Sequence, residues 1–386
     1  MSAAAPSPIR VPSAPPPPVS NEAAIALVES LVRTPSVSGE EHAAVHLFAR
    51  HAARLGFRTE IDAAGNGIAA RGEPSTEILL LGHIDTVPGD IPVRTESGIL
   101  YGRGSVDAKG PLAAMLVAAS RAHLPTGVGV RVVAAVGEET PHSPGARFLA
   151  RGPAPAPAAC IIGEPSGADG VTLGYKGRLV MHANFTQDTG HSAGPHGSAG
   201  DSAFAAWTQC LAMVTTLNTG HTGAFETIQA TLRTIASTSD GLTDTCTLSA
   251  GFRLPSWMPP TTMQEHLTAT LGASAVRFEG HEHAHQSPRN DAVARALSTA
   301  IREAGMRPQP KLKTGTSDMN VVAPVWNCPI AAYGPGDSAL DHTPHEHLRL
   351  DEYLRSVNVL TRAIELLAAE LVATPHASGI AHVQHN

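Results

Sequence analysis

The sequence lacks the marks of several protein classes. Only four of its 386 residues are cysteines, and none stands in a Cys-x-x-Cys pair. No uncharged apolar run reaches about 18 residues, the length that indicates a membrane-spanning helix. Basic residues are also few, because 27 lysines and arginines face 34 aspartates and glutamates. We therefore expect no disulfide framework, no membrane span and no general binding to nucleic acid.

The N-terminus has no apolar core of the kind found in signal peptides. It reads "MSAAAPSPIRVPSAPPPPVS", and the chain ends in "HASGIAHVQHN". We expect residues 1–20 and the tail 376–386 to be disordered, and the protein to be cytoplasmic. The chain is 42% hydrophobic and 16% charged, and it is long enough for two globular domains.

Helical periodicity alternates with short apolar runs over residues 21–170. "NEAAIALVESLVRT" has helical spacing, whereas "STEILLLGHID", "GVGVRVVAAVG" and "ACIIGEP" read as buried parallel strands. From residue 171 to about residue 282, alternating segments predict antiparallel strands with a helix between them. We therefore predict an α/β domain with a mostly parallel sheet, formed by 21–170 and 283–375, and an α+β insert at 171–282.

Each predicted strand of the α/β domain ends in residues of metal-binding type. His83 and Asp85 follow the first apolar run, two glutamates follow the second, and Glu164 follows the third. These side chains should converge, because the carboxyl ends of parallel strands form the ligand crevice of such a sheet. Asp107 lies in the glycine-flanked "GRGSVDAKG", and His342 lies in "DHTPHEH". Imidazole and carboxylate ligands suit two zinc ions, with cobalt as the alternative.

The adjacent glutamates, Glu138 and Glu139, are predicted to divide two tasks. Like charges so close repel each other unless a cation lies nearby. Neighbouring residues at a strand end point to opposite sides, so one can bind metal while the other acts on water as a general base. Asp107, which follows the glycine loop, is the expected bridge between the ions. Asp85 is expected to hold the second ring nitrogen of His83.

The order of these motifs resembles the M20 metallopeptidase family, which includes acetylornithine deacetylase and succinyl-diaminopimelate desuccinylase. The motifs are "GHIDTVP", "GRGSVDAKG", "GEE", "GEP", "GHSAGP", "GTSD" and "HTPHE". They occur in family order within a region from about residue 21 to residue 372. The resemblance implies a di-metal amide hydrolase whose insert is a lid and dimerisation domain, and it therefore implies a homodimer.

The resemblance also assigns the site residues. The five metal ligands that it implies are His83 and Glu164 on one ion, Glu139 and His342 on the other, and Asp107 as the bridge. It makes Glu138 the general base, Asp85 the support of His83, and the peptide bond after Asp107 cis. The family spacing of histidine, three residues and glutamate selects His342 with Glu346, so His345 and His347 would support the site or lie on the surface.

Residues of the insert receive roles from the same resemblance. His191, or its rival His196, would reach the partner's active site and stabilise the oxyanion. Arg253 in "GFRLP" would hold a carboxylate of the substrate. The family usually has an acid two residues before this arginine, where the present chain has Gly251.

Within the family, "GYKGRL", "KTGTSDMNVV" and "GPGDSALDHTPHEHL" look most like the branch that releases lysine or ornithine from an amino-group carrier protein. That reaction is the last step of lysine synthesis through α-aminoadipate, with a counterpart in arginine synthesis. The carrier is acidic, so a basic docking surface is expected, and its candidates are Lys176, Arg178, Arg307, Lys311 and Lys313. The ammonium group of lysine would need an acid, either Asp318 or Asp337.

The residues leave three other functions open. The protein could be a deacetylase of N-acetyl-ornithine or N-acetyl-lysine, because the metal chemistry is the same amide hydrolysis. It could be a dipeptidase or carboxypeptidase of the same fold. It could also be a catalytically inactive amino-acid-binding protein, although a binder would not need Glu138 as a general base.

Overall fold

The computed structural model describes residues 19–73, 76–191, 197–272 and 276–373. Its helices, in chain order, are Asn21–Val32 (α1), His42–Arg54 (α2), Lys109–Arg121 (α3), Pro144–Arg151 (α4), Ala199–Leu217 (α5), Pro260–Leu271 (α6), Ala292–Glu303 (α7), Asp318–Trp326 (α8) and Leu350–Ala373 (α9). The predictions of disorder for residues 1–20 and 376–386 lie outside the described residues, apart from residues 19 and 20.

The strands, in chain order, are Arg58–Ile61 (β1), Gly67–Gly72 (β2), Thr76–His83 (β3), Arg94–Glu96 (β4), Ile99–Tyr101 (β5), Val128–Ala135 (β6), Ala159–Gly163 (β7), Gly170–Tyr175 (β8), Gly177–Asp188 (β9), Gln229–Ser239 (β10), Thr243–Leu254 (β11), Val276–Glu282 (β12), His285–Gln286 (β13), Gln309–Lys313 (β14), Ile330–Ala332 (β15) and His347–Arg349 (β16). They form a nine-stranded, a four-stranded and a three-stranded sheet.

The nine-stranded sheet is the base of the larger domain. Its strands run in the order β1-β2-β6-β3-β7-β15-β8-β13, and β14 also pairs with β8. β3 is parallel to both β6 and β7, and β7 is parallel to β15, whereas β1, β2 and β13 pair antiparallel. The predicted α/β fold is confirmed, and its parallel strands are the central ones.

Helices cover both faces of this sheet, which explains why its central strands are apolar along their whole length. Successive side chains of β3 alternate between the two cores: Ile78 and Leu80 pack on one side, and Leu79 and Leu81 on the other. Helices α3, α7 and α9 cover the first face, and α4 and α8 cover the second. Each fully buried leucine stabilises the fold by about 1.5–3 kcal/mol.

The four-stranded sheet, in the order β10-β11-β9-β12, is antiparallel and belongs to the insert, which we call the lid domain. Helices α5 and α6 pack on one face of it, around buried residues such as Met181 and Phe252. The other face is open toward the larger domain, and the alternate residues of each strand lie on it.

The predicted start of the insert at residue 171 needs a correction. β8, which begins at Gly170, pairs with β13, β14 and β15 of the large sheet, and the chain enters the lid sheet only at Gly177. The physical reason is that "VTLGYKGRLV" continues through Lys176 without a turn signal. Both halves look like strand, so the sequence pattern does not mark the change of sheet.

Disulfides and membrane helices are not found in the part of the chain that the structure describes. The four cysteines, Cys160, Cys210, Cys246 and Cys328, are unpaired. None of the described helices combines the length and the apolar character that crossing a membrane requires.

Candidate active site

Three neighbouring parallel strands bring their carboxyl ends together at one edge of the large sheet. His83 is the last residue of β3, Glu138 and Glu139 follow the turn after β6, and Glu164 follows β7 directly. Because β6 and β7 both pair with β3, the four side chains meet at one place. The turn after β6 is made by Gly137 with a φ of 70°, a conformation that glycine adopts readily.

Asp107 lies between the two histidines of this cluster. Its Oδ1 is 3.2 Å from Nε2 of His83, and its Oδ2 is 3.0 Å from Nε2 of His342. Glu164 lies beside the first histidine at 3.8 Å, and Glu139 lies beside the second at 3.0 Å. Two groups of three donors result, each with atoms within 4.8 Å of one another, and Asp107 belongs to both.

The donor set fits a pair of divalent cations. Each group offers one imidazole, one carboxylate of its own and a share of Asp107, which are ligand types that suit zinc and its neighbours. Without cations the carboxyl groups oppose each other's ionisation. Burial raises the pKa of Glu164 to about 8 and that of Asp341 to about 9, and the charge of Asp107 adds to both shifts. Nearby dications would remove this repulsion.

The pKa values of the two histidines indicate that the cluster stabilises positive charge. Hydrogen bonds with Asp107 and Glu139 raise the pKa of His342 to about 10. Burial opposes the protonation of His83, but its contacts with Asp107 and Asp85 raise its pKa well above the ordinary value. Burial also raises the pKa of Glu138 well above that of an exposed glutamate. The raised pKa values of the two histidines thus indicate an excess of negative charge in the cluster, which bound cations would offset.

Asp85 supports the cluster from behind. Nδ1 of His83 lies 3.4 Å from Oδ1 of Asp85 and 3.1 Å from its carbonyl oxygen. The same carboxylate accepts hydrogen bonds from Oγ of Ser38 at 2.7 Å and from the backbone N–H groups of Glu138 and Glu139 at 3.1 and 3.0 Å. One buried carboxylate thus fixes the ring of His83 and the turn that carries both glutamates.

Glu346 holds the loop that presents Asp107. Its buried carboxylate accepts hydrogen bonds from the backbone N–H groups of Val106 and Asp107 at 2.9 and 3.1 Å. Nη1 of Arg103 donates a third hydrogen bond at 2.8 Å. The peptide bond after Asp107 is cis. Glu346 thus contacts the loop of Asp107, although it lies four residues after His342 in the sequence.

A cavity of about 710 Å³ separates this cluster from the open face of the lid sheet. Its acidic wall consists of residues of the larger domain: Asp107, Glu138, Glu139, Glu164 and Asp341. Its basic wall consists mainly of lid residues: Arg178, Arg233 and Arg253, with Lys313 from β14. Nη1 of Arg253 donates to Oγ1 of Thr316 at 2.5 Å, and burial lowers its pKa to about 10, helped by the charge of Arg178.

Lys176 does not belong to this basic wall, contrary to the expectation from sequence. Its side chain is buried between the two sheets, and Nζ donates to the carbonyl oxygens of Ala224 and Thr227 and to Oε1 of Gln229. The ammonium group is occupied by these acceptors, so it fixes a lid loop and does not face the cavity.

The other basic residues that were grouped from sequence do not form one surface either. Nζ of Lys311 donates to the carbonyl oxygen of Ser166 at 2.6 Å, and Arg307 is exposed outside the cavity. Of the five residues grouped from sequence, only Arg178 and Lys313 line the cavity. Sequence proximity grouped these residues, but strand pairing and side-chain direction separate them.

The acids proposed for an ammonium group lie elsewhere. Asp318 is buried at the start of α8, Asp337 is exposed, and neither lines the cavity. Asp341, which the sequence analysis missed, does line it. Its position next to His342 was the available signal, since a residue beside a predicted metal ligand shares the surroundings of that residue.

Three other histidines named in the sequence analysis, His191, His345 and His347, lie outside the cluster. His191 is exposed just beyond the end of β9 and does not line the cavity. Its rival His196 lies outside the described residues. His345 is exposed and His347 is half-buried, as expected of residues that the family spacing does not select.

Comparison with known families identifies the family of this chain. The model described as "Peptidase family M20/M25/M40" matches residues 79–366. The chain belongs to the M20 family. A [LysW]-lysine hydrolase of Deinococcus radiodurans is 46% identical over 90% of this chain and 97% of its own. A [LysW]-lysine/[LysW]-ornithine hydrolase of Sulfurisphaera tokodaii is 29% identical over 86% of this chain and 91% of its own.

Solved structures of the M20 family share the fold. The metallo-carboxypeptidase Sso-CP2 of Sulfolobus solfataricus has a TM-score of 0.73 and 16% identity, covering 90% of this chain and 99% of that one. YXEP of Bacillus subtilis, described as a dinuclear metal binding peptidase, has a TM-score of 0.66 and 15% identity, covering 92% of this chain and 98% of that one. The M20 membership predicted from the order of motifs is confirmed.

Proposed function

We propose that the protein is a di-metal amide hydrolase that releases lysine, ornithine or both from the C-terminal glutamate of an acidic amino-group carrier protein. The observation that carries the chemistry is the position of Asp107 between His83 and His342, within hydrogen-bond distance of both. The relative from Deinococcus radiodurans supports the substrate, because its name specifies lysine release from LysW and it is similar along almost its whole length.

The two groups of donors give the proposed ligands of the ions. His83 and Glu164 would hold one ion, Glu139 and His342 the other, and Asp107 both. Zinc is the proposed metal, with cobalt as the alternative, because both accept imidazole with carboxylate. When bound, the pair would polarise the scissile carbonyl and make a water molecule more acidic.

Glu138 is the proposed general base. It lies within 4.8 Å of donor atoms of His83 and Glu139, but it belongs to neither group that shares Asp107. Its carboxylate takes a proton from the attacking water while the new carbon–oxygen bond forms. It then gives that proton to the amine nitrogen as the carbon–nitrogen bond breaks. The hydroxyl group of the water stays on the carbon, so the products are a side-chain carboxyl group of glutamate and a free amine.

The lid arginines are the proposed carboxylate ligands. Arg253 is half-buried and fixed by Thr316, which suits it to hold the carboxylate of the released amino acid. Arg178 lies beside it on the neighbouring strand and donates to the carbonyl oxygen of Pro141 at 3.0 Å. Its guanidinium is also 3.8 Å from Glu282, so it is the more firmly anchored of the two.

A homodimer formed through the lid is the proposed assembly. β10 is the edge strand of the lid sheet, and its outer side pairs with no described strand. Exposed apolar side chains accompany it: Ile235 on β10 itself, with Phe204 and Leu211 on α5. An open edge with apolar neighbours is a template for pairing with a second copy.

The position of His191 supports action across that dimer. β9 begins at Gly177 beside the cavity and ends at Asp188, which is a length of about 35 Å at the rise of a strand. His191 follows the far end of the strand. It is therefore too far from the cavity of its own chain, and we propose that it stabilises the oxyanion in the partner's site.

Removal and return of metal test the proposal. The purified protein is stripped with a chelator, reloaded with zinc or with cobalt, and given the carrier protein charged with lysine. Mass spectrometry should find free lysine and a carrier lighter by one lysyl group only after reloading. An intact charged carrier in every metal-loaded sample would contradict the proposal.

A further inference from the structure

Arg233 is a third lid arginine in the cavity, in addition to Arg178 and Arg253. It lies on the edge strand β10 and is exposed. The pairing of β10 with β11 shifts register between Leu232 and Thr234, so Arg233 is the extra residue of an irregular stretch. Such irregularities re-aim a side chain, and here Arg233 lines the same cavity as Arg178 and Arg253.

Gly251 makes room for this side chain. A Cβ atom at Gly251 would lie 3.5 Å from Cδ and 3.9 Å from Cγ of Arg233, so the alkyl stem of Arg233 passes directly over the bare backbone. An acidic side chain at this position would fill that path and would neutralise the guanidinium. Glycine in place of an acid thus leaves Arg233 without an acidic neighbour at position 251.

The guanidinium of Arg233 is also the least occupied of the three. Arg178 donates to the carbonyl oxygen of Pro141, and Arg253 donates to Thr316. Within the described residues, no hydrogen bond or ion pair is formed by the guanidinium of Arg233. An exposed arginine at a cavity rim without a fixed partner is suited to bind an anionic group that arrives with a ligand.

Depth in the cavity separates the arginines further. Arg253 is half-buried against the larger domain, whereas Arg233 is exposed at the rim. A protein cannot enter a cavity of about 710 Å³. The released lysine must therefore occupy the closed end, and the glutamate that links it to the carrier must lie at the rim. That glutamate is attached through its side chain, so its α-carboxylate is free.

We propose that Arg233 binds the free α-carboxylate of the carrier's C-terminal glutamate, on the acyl side of the scissile amide. It thereby selects γ-glutamyl substrates over acetylated amino acids, whose acyl group carries no charge. This inference rests on the proposed function and adds the residue that recognises the acyl side.

Two synthetic peptides test this role. Both peptides have the carrier's C-terminal sequence. In both, the α-amino group of lysine forms an amide bond with the side-chain carboxyl group of the last residue. They differ only in the last residue, which keeps its α-carboxylate in one peptide and has hydrogen there in the other. The wild-type protein should cleave the first with a kcat/KM about 10- to 100-fold higher, as expected for hydrogen bonds to a charged group.

Three variants identify the residue responsible. Arg233→Ala should bring the ratio between the two peptides close to one and should raise KM for the charged carrier, with kcat little changed. Arg233→Lys should keep part of the ratio, because it keeps the charge but loses the two-pronged geometry. Arg277→Ala is the matched control, since Arg277 is an exposed arginine of the same lid sheet outside the cavity, and it should keep the full ratio.

The outcomes separate this inference from the proposed function. If the wild type cleaves the charged carrier but Arg233→Ala leaves both the ratio and the carrier's KM unchanged, the inference is wrong and the proposed function stands. An equal loss on both peptides would also overturn it, because the carboxylate would then be irrelevant. If the wild type leaves the charged carrier intact, the proposed function fails and this inference fails with it.

Discussion

The carboxylate of Asp85 accepts a hydrogen bond from the backbone N–H of Glu139 at 3.0 Å, between residues 54 positions apart in the sequence. The same carboxylate contacts the ring of His83. The ends of β3 and β6 are therefore tied together beneath the proposed metal site. A change at Asp85 would disturb one ligand of each proposed ion at once.

Glu138→Gln should separate chemistry from metal binding. The amide has nearly the shape of the carboxylate but cannot accept the proton of water. We expect two ions per subunit by plasma mass spectrometry and a kcat reduced by about 100-fold or more, the usual contribution of a general base. Loss of an ion in this variant would show that Glu138 is a ligand.

Glu139→Gln is the matched variant at the neighbouring position. An amide oxygen is a weaker ligand than a carboxylate, so occupancy should fall toward one ion per subunit while His83, Asp107 and Glu164 keep the other. The same metal analysis checks this. Full occupancy by two ions would reverse the roles assigned to the two glutamates.

Glu346→Ala should destabilise the protein although Glu346 contacts no proposed ion. Its removal leaves the backbone N–H of Asp107 and the guanidinium of Arg103 without their buried acceptor. Breaking a buried pair in this way costs about 3–5 kcal/mol of unfolding free energy. Urea unfolding measures it, and Asp351→Ala, which removes two exposed ion pairs, should unfold like the wild type. Equal stability of the two variants would refute the role of Glu346.

Subunit mixing tests the proposed action of His191 across a dimer. His191→Ala and Glu138→Gln should each be nearly inactive alone. Unfolded and refolded together in equal amounts, they should form mixed dimers with one complete site, giving about a quarter of the wild-type activity. Sedimentation checks that a dimer forms. No gain on mixing, with dimers present, would place His191 outside the partner's site.

The sequence predicted where the proposed ligands at the strand ends lie, because their positions are local to secondary structure. A continuous apolar run predicts a buried parallel strand, and the residue after it then lies at the ligand edge of the sheet. His83 and Glu164 follow from that rule alone. The order of the motifs added the choice among the histidines of the last segment, where His342 lies at the cluster with a φ of 61° that no sequence pattern indicates.

What the sequence did not predict depends on side-chain direction across long separations. Lys176 and Arg178 are two residues apart and look equivalent, yet the side chain of Lys176 is buried against a lid loop and that of Arg178 lines the cavity. Arg233 gave no signal, because its place in the cavity results from a register shift and from the missing side chain of Gly251. The register shift exists only after β10 and β11 pair, and only that pairing brings Gly251 beside Arg233.

The central claim is the carrier-bound substrate, and a competition assay tests it most directly. The zinc-loaded protein receives the lysine-charged carrier, N-acetyl-lysine and N-acetyl-ornithine together, and mass spectrometry follows all three. Preferential loss of lysine from the carrier is the expected result. Rapid cleavage of an acetylated amino acid while the charged carrier stays intact would contradict the account and would make the protein a deacetylase with the same metal chemistry.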